Sequence, residues 1–400
     1  MKFEPVIRFL ATSDVHYKYG IEKEPERFER GMRLAYEYAN NSSYKNIDAL
    51  YVVGDFANSG SVKEMLRFRQ SLRNVILPET EIVLTLASHE FSDAGEAKAV
   101  ERLEDIFSQK PDNHKIIKGF HFISLSTEQG CRIKEAKKTW LKEQLEAAVK
   151  DDFRKPIFCF QHPHLSDTVY GSINWGEDDI IDILMDYPQA VDFSGHSHAP
   201  INDPRSVHQK YFSSFGTGSF SYFELDEFDK MYGTVPPDAA ECAQFLIVEA
   251  DAQNRVRVYP FDVLSGKFFN DGWLISNPAE PDSFIYTDER YRNSEKPYFE
   301  ENNIPDVFCK KSKISISFKQ AKSETERVNS YTVVLRSASD RHIIAQKNIS
   351  SSYYLYNMPE KAALEFEFNA PAGEYIAEIT ANGFWHNKSD KLIKAFTVQE

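Results

Sequence analysis

The sequence predicts an α/β fold for roughly the first two thirds of the chain and an all-β fold for the last quarter. Up to about residue 265, short apolar runs alternate with segments whose apolar residues recur at helical spacing. After residue 305 only short runs with a period of two remain, separated by turn residues. The length of 400 residues, 42% of them apolar, is enough for two domains with their own cores.

The first part is predicted to build βαβ units, because its strands and helices alternate. The predicted strands are Val6–Thr12, Ile47–Val53, Glu81–Ala87, Gly119–Leu125, Pro156–Phe160, Ala190–Phe193, Phe245–Glu249 and Val256–Tyr259. The predicted helices are Pro25–Asn40, Ser61–Val75, Ala94–Ser108, Ala136–Val149 and Asp178–Met185. We therefore expect a layered α/β domain over residues 1–265.

The remaining residues are predicted to form a connector and a β-sandwich. Residues 266–304 are rich in Asn, Asp, Pro and Tyr, which favours an extended connector. Residues 305–400 contain five alternating runs, at sandwich-like spacing. These predicted strands are Ile314–Phe318, Tyr331–Arg336, Ala363–Phe368, Tyr375–Ala381 and Leu392–Val398.

Composition excludes several classes of protein. The net charge is −14, with acidic and basic residues mixed, which argues against a broad basic surface for nucleic acid. A phosphorylated substrate stays compatible with this charge, because bound metal ions reverse the local field. We expect no membrane span, because no apolar stretch approaches about 20 residues.

The cysteines and the N-terminus bear on the compartment. Cys131, Cys159, Cys242 and Cys309 form no C-x-x-C pair, so neither a zinc ribbon nor a redox dithiol is expected. No signal peptide is visible. We expect a cytoplasmic protein, or a secreted or surface protein if a leader has been removed.

Metal-capable side chains follow the predicted strands. Asp14 and His16 end the first strand, Asp55 the second, and Ser88-His89-Glu90 the third; His162 and the pair His196 and His198 end two later strands. Ligands of open α/β sheets collect beyond the carboxyl ends of the strands, so these residues should converge. Each motif alone is more often a turn or a solvated loop, but five of them in this order predict a metal site. Carboxylates and imidazoles together hold Zn²⁺, Mn²⁺ or Fe.

The order Asp-x-His, Gly-Asp, x-x-His-Glu, His, Gly-His-x-His resembles the signature of the calcineurin-like metallophosphoesterase superfamily. The last element is similar to the branch that contains class III cyclic-nucleotide phosphodiesterases. The resemblance covers roughly residues 6–265 and implies a sandwich of two mixed sheets flanked by helices. It also implies a phosphoesterase that hydrolyses phosphomonoesters or phosphodiesters of small substrates through a dinuclear metal-activated hydroxide. The two divalent ions would be Mn, Fe or Zn.

The resemblance also implies a role for each motif residue. Asp14, His16 and His198 would bind the first ion, Asp55 would bridge, and His162 and His196 would bind the second ion. His89 would contact the phosphate or protonate the leaving oxygen, and Glu90 would orient His89.

Two departures from the family pattern bear on the second ion. The family has Asn before the catalytic His, with its amide oxygen on the second ion, whereas this chain has Ser88, which reaches an ion at most weakly or through water. Many relatives carry His-His-Pro where this chain has Gln161-His162-Pro163-His164. We prefer His162 as the ligand, because imidazole binds these metals better than an amide; Gln161 and His164 are the alternatives.

Three functional hypotheses follow. The first is a hydrolase, with the C-terminal β-sandwich (Ig- or fibronectin-like) as an accessory module whose partner is unknown. The second keeps the fold but has feeble or no hydrolysis, because of Ser88, and binds a ligand or a partner. The third places the functional centre in residues 305–400, as an adhesion or carbohydrate module.

Overall fold

The computed structural model describes residues 2–128, 130–225, 235–310, 313–367 and 371–399. Phe368, the end of one predicted strand, lies outside these residues. The chain divides into two compact units, Met1–Thr287 and Asp288–Glu400.

The first unit alternates strands and helices as the sequence predicts. Its helices are α1 Lys23–Asn41, α2 Val62–Val75, α3 Glu96–Phe107, α4 Glu135–Asp151, α5 Ser172–Trp175 and α6 Ile181–Leu184. Its first eight strands are β1 Pro5–Thr12, β2 Ala49–Val53, β3 Glu81–Thr85, β4 Asn113–Ile117, β5 Phe120–Leu125, β6 Ile157–Gln161, β7 His164–Leu165 and β8 Gly176–Glu177. The others are β9 Ala190–Ser194, β10 Val207–Gln209, β11 Ser213–Gly216, β12 Gln244–Asp251, β13 Val256–Asp262, β14 Lys267–Phe268 and β15 Trp273–Ile275.

Two mixed sheets form the centre of this unit. One has the order β14-β13-β12-β1-β2-β3, with β15 also paired to β13, and the other has the order β10-β11-β9-β6-β5-β4. In the first sheet β1, β2 and β3 run parallel to one another. In the second, β5, β6, β9 and β11 are parallel. The carboxyl ends of the parallel strands therefore lie together at one edge of each sheet.

Successive side chains of a strand point to opposite faces of its sheet. The buried residues are therefore divided between the space between the two sheets and the face that packs against helices. In β1, Ile7, Phe9 and Ala11 pack with apolar residues of both sheets, whereas Leu10 packs among residues of α1 and α2. The ring of Phe9 lies 4.7 Å from that of Phe158, measured between centroids, and contacts four further aromatic rings. The two-sheet α/β sandwich expected from the sequence is thus confirmed, with an aromatic layer between its sheets.

The second unit is a β-sandwich, as expected, apart from the short helix α7 (Arg290–Asn293). Its strands are β16 Asp306–Lys310, β17 Lys313–Lys319, β18 Ser330–Ser337, β19 Ile343–Ser350, β20 Lys361–Glu367, β21 Gly373–Asn382 and β22 Leu392–Val398. They form the sheets β16-β17-β20 and β19-β18-β21-β22, which enclose one apolar core.

The structure also contains strands that the pattern did not predict. Both β16 and β19 lie at sheet edges and bury none of their side chains, so their sequences carry no run of buried apolar residues. Within the predicted connector, β14 and β15 pair with β13. The predicted helix Asp178–Met185 is only the single turn α6.

None of the helices in the described part of the chain is long and apolar enough to cross a membrane.

Candidate metal centre

The predicted site residues lie at the ends of β1, β2, β3, β6 and β9. Because these strands are parallel neighbours within their sheets, their following loops meet at one edge. Three overlapping groups of ligand-capable side chains arise there, each with its ligand atoms within 4.8 Å of one another. The groups are Asp14-His16-His198, His16-Asp55-His89 and Asp55-His162-His196.

The first group surrounds one carboxylate oxygen. Oδ1 of Asp14 lies 3.3 Å from Nε2 of His198 and 3.7 Å from Nε2 of His16. The two Nε2 atoms are 3.1 Å apart. Neighbouring ligands on a tetrahedral Zn²⁺ stand roughly 3.3–3.8 Å apart at bond lengths of about 2.0–2.3 Å, so this group has the dimensions of a metal site.

The second and third groups are both built on Asp55. Its Oδ2 lies 3.0 Å from Nε2 of His162. Its Oδ1 accepts a hydrogen bond of 3.0 Å from the backbone N–H of His89. The ring of His162 lies 5.0 Å from the ring of His196, between centroids. Asp55 belongs to both of these groups. Its carboxylate therefore lies within reach of His16 and His89 and also of His162 and His196.

Backbone carbonyls orient most of the histidines through Nδ1. His162 Nδ1 lies 2.7 Å from the carbonyl of Val53, His198 Nδ1 is 3.1 Å from that of Tyr222, and His89 Nδ1 is 2.7 Å from that of Asn58. A carbonyl only accepts, so each Nδ1 carries a proton. In the neutral ring this leaves Nε2 with a free lone pair, as a metal ligand requires.

Two buried atoms of the centre have no hydrogen-bond partner among the described residues. They are Asp14 Oδ1 and His162 Nε2. His162 Nε2 lies close to Asp55 Oδ2, yet the two atoms are not oriented as a hydrogen bond. Leaving a buried polar atom unsatisfied costs about 1–3 kcal/mol, so atoms that converge in this way fit a bound cation.

The electrostatics of the pocket favour positive charge. Burial alone would lower the pKa of His162, but the carboxylates of Asp55 and Asp14 raise it to about 10. Burial alone would raise the pKa of Asp14, but His198 and His162 hold it well below its usual value. The carboxylates thus stay ionised, and their negative charge in a buried pocket favours a bound cation.

The loops that present these side chains have unusual backbone geometry. Positive φ angles between 51° and 73° occur at five residues outside glycine: Asp14, His16, Asp55, His196 and His198. Such conformations cost of order 1 kcal/mol each and persist where surrounding contacts enforce them. The clustering of five at one edge indicates that the loops are held for a function.

Glu90 has a different role from the expected one. Its carboxylate accepts hydrogen bonds from the backbone N–H groups of Asp55, Ala57 and Ala87, at 2.9–3.0 Å. It therefore clamps the loops after β2 and β3, whereas the ring of His89 is oriented by a carbonyl. The expectation that Glu90 orients His89 is corrected, because the three backbone donors use its oxygens. Burial and the charge of Asp55 raise the pKa of Glu90 to about 8.

His164 and Gln161, the alternatives to His162 as a metal ligand, do not approach the carboxylates as His162 does. The nitrogens of His164 lie 2.8 Å and 2.7 Å from the hydroxyl oxygens of Ser194 and Ser197. Gln161 is the last residue of β6, whereas Nε2 of His162 lies 3.0 Å from Oδ2 of Asp55. The geometry thus brings His162, of the three, to the carboxylates.

Three residues near the centre were not singled out for it by the sequence. The sulfur of Cys131 lies 3.4 Å from Nε2 of His196. The ring of Tyr222 lies 4.2 Å from the ring of His198, and Trp175 lies 5.0 Å from His196, between centroids. Cys131 and Tyr222 belong to no motif, because each reaches the centre through a loop whose path the sequence pattern does not reveal.

Gly54→Ala should disturb the centre more than a comparable glycine substitution elsewhere. At φ +79°, a Cβ on Gly54 would lie 2.6 Å from Nδ1 of His162 and 2.7 Å from Cβ of Ala87. We expect an extra loss of about 1–3 kcal/mol in the free energy of unfolding, from overpacking. The matched control is Gly20→Ala, at φ +81° with nothing within 4 Å of the added Cβ. Equal losses in urea unfolding would contradict this.

A family comparison assigns the first unit. Residues 7–200 match the model of the calcineurin-like phosphoesterase family. This segment includes every residue of the three ligand-capable groups. A search of curated proteins gave no match.

Two solved structures are similar to the chain at low sequence identity. The chain is similar to a purple acid phosphatase from yellow lupin seeds, with 13% identity and a TM-score of 0.50 over 68% of this chain. It covers 53% of that phosphatase's chain. It is also similar to PhoD, with 10% identity and a TM-score of 0.40 over 68% of this chain and 69% of that one. Over residues 7–200 the chain thus matches the calcineurin-like phosphoesterase family, and it shares a fold with the purple acid phosphatase.

Proposed function

We propose that the chain hydrolyses phosphomonoesters or phosphodiesters of small substrates with two divalent ions, Mn, Fe or Zn. The observation that carries this proposal is the position of Asp55. It is buried between two sets of histidines and is shared by two ligand-capable groups. A carboxylate in that position is suited to bridge two ions about 3.5–4 Å apart.

The proposed ligands follow the two outer groups. Asp14, His16 and His198 would hold one ion, and His162 and His196 the other. Asp55 would contact both, with Ser88 reaching the second ion through water. The donor set fits borderline metals, because it combines imidazole nitrogens with carboxylate oxygens. When bound, such ions polarise a phosphoryl oxygen and lower the pKa of coordinated water to about 7.

We infer that His89 acts on the substrate. Its ring lies 4.4 Å from that of His16, between centroids, and is only partly buried. Since Nδ1 is hydrogen-bonded to the carbonyl of Asn58, Nε2 is the nitrogen left to contact a phosphoryl or leaving-group oxygen. Nε2 donates a proton only while the ring carries both protons. We infer that His89 is the general acid for the leaving group.

The alternative hypothesis, a binding protein without hydrolysis, rests on Ser88. A hydrolysis assay separates it from the hydrolase hypothesis. We expect purified protein loaded with Mn²⁺, Zn²⁺ or Fe²⁺ to hydrolyse an aryl phosphate or a bis-aryl phosphate. His162→Ala should lower the rate at least about 100-fold by removing an ion ligand. The control is His164→Asn, since His164 binds serine hydroxyls, and it should retain most of the rate. No hydrolysis with any of the three metals would favour the binding protein.

His89→Ala should discriminate between leaving groups. For an alkyl phosphate, whose leaving oxygen needs a proton, we expect kcat to fall about 10²–10⁴-fold. For a nitrophenyl ester, whose anion leaves unaided, the loss should be much smaller. His342→Ala, an exposed histidine of the second unit, is the control. Equal losses for both esters would exclude the general-acid role of His89.

The second unit is proposed as an accessory module of this enzyme. Residues 288–400 have their own core and contain none of the ligand-capable groups found among the residues described.

A further inference from the structure

Cys131 contacts one histidine of the centre from the loop that follows β5. Its sulfur lies 3.4 Å from Nε2 of His196, within the range of a hydrogen bond to sulfur. The side chain of Ser88 also lies close to the side chain of Cys131. Cys131 is partly buried. Because its sulfur lies near both His196 and Ser88, it stands between His196 and the loop that carries His89.

His196 is bonded through the opposite nitrogen from the other histidines. In His162, His198 and His89 it is Nδ1 that faces a carbonyl. In His196 it is Nε2 that meets a partner, and this partner is the sulfur. A histidine ligand nearly always donates its second N–H to an outer partner, which sets its tautomer and the direction of its lone pair. A sulfur that accepts Nε2–H leaves the lone pair on Nδ1.

The sulfur of Cys131 also lies close to Ser88, the residue at which the chain departs from the family pattern. Ser88 stands where relatives carry an asparagine that binds the second ion. Since Ser88 lies close to Cys131, the sulfur stands next to both this position and His196. A buried nitrogen of the same group, His162 Nε2, has no hydrogen-bond partner among the described residues, which points independently to a ligand at this place.

We propose that Cys131 is a positioning residue for the second metal ion. Its sulfur accepts the Nε2–H of His196, fixes the tautomer that offers Nδ1 to the ion, and anchors Ser88. The chain Ser88-Cys131-His196 thereby supports the second ion in place of a direct asparagine ligand. This inference rests on the proposed function, because it presupposes that the centre binds metal.

The test is the Mn²⁺ content of the full chain, measured by equilibrium dialysis and by electron paramagnetic resonance of the Mn²⁺ pair. We expect wild type to bind two ions per chain, with a spin-coupled signal. Cys131→Ala should weaken the second ion about 10- to 100-fold, the usual effect of removing an outer partner, and leave the first ion bound. Its spectrum should become that of isolated Mn²⁺. A general loss of folding would instead weaken both ions.

Three further variants make the result specific. Cys131→Ser, which keeps a small hydrogen-bonding group, should retain more of the second ion than Cys131→Ala. Cys309→Ala, in strand β16 of the second unit, should bind two ions. Ser88→Asn combined with Cys131→Ala should restore the second ion, because the amide oxygen supplies a direct ligand. Two ions bound with unchanged affinity by Cys131→Ala would overturn the inference.

The remaining outcomes separate this inference from the proposed function. Wild-type protein that binds no metal would overturn both. If wild type and Cys131→Ala each bind one ion, the inferred role of Cys131 is overturned. The binding of the first ion would be unaffected by that result. In Co²⁺-loaded protein, a sulfur-to-cobalt charge-transfer band that is lost in Cys131→Ala would place the sulfur on the ion itself and overturn the outer position.

Discussion

The burial of Asp14 and Asp55 side by side is the constraint on which the rest of the centre depends. Both side chains are almost completely buried, at 0% and 1% exposure. Removing an ionised carboxylate from water costs several kcal/mol unless positive charge or hydrogen bonds compensate. The surrounding histidines and backbone N–H groups supply part of this compensation, and the converging unpaired atoms leave a place for cations to supply the rest.

This constraint explains why the loops at this edge are strained and crowded. Five of the ligand-capable residues adopt left-handed backbone conformations in the short loops that turn their side chains toward one point. The carboxylate of Glu90 accepts hydrogen bonds from backbone N–H groups in the loop after β2 and in the loop after β3. Gly54 leaves room for the ring of His162. Interactions outside the centre thus stabilise a geometry that the loops would not adopt alone.

The sequence was sufficient for the fold class and for the residues that converge, and it was insufficient for their outer partners. Short apolar runs and the motifs at their ends indicate which side chains reach the edge, so Asp14, Asp55 and His198 could be predicted. Glu90 was assigned to its neighbour His89, because sequence adjacency does not show that its carboxylate turns back to three backbone donors. Cys131 reaches His196 across 65 positions of sequence, a contact that depends on how the loops pack. The edge strand β19 carries exposed side chains and hence no buried pattern.

The central claim is that this edge of the two sheets holds two divalent ions around Asp55. Anomalous X-ray diffraction from Mn²⁺-loaded crystals tests it most directly. The account predicts two anomalous peaks about 3.5–4 Å apart, one beside Asp14 and His198, the other beside His162 and His196, with the Asp55 carboxylate between them. No peak at this edge, or peaks only at surface carboxylates, would contradict it.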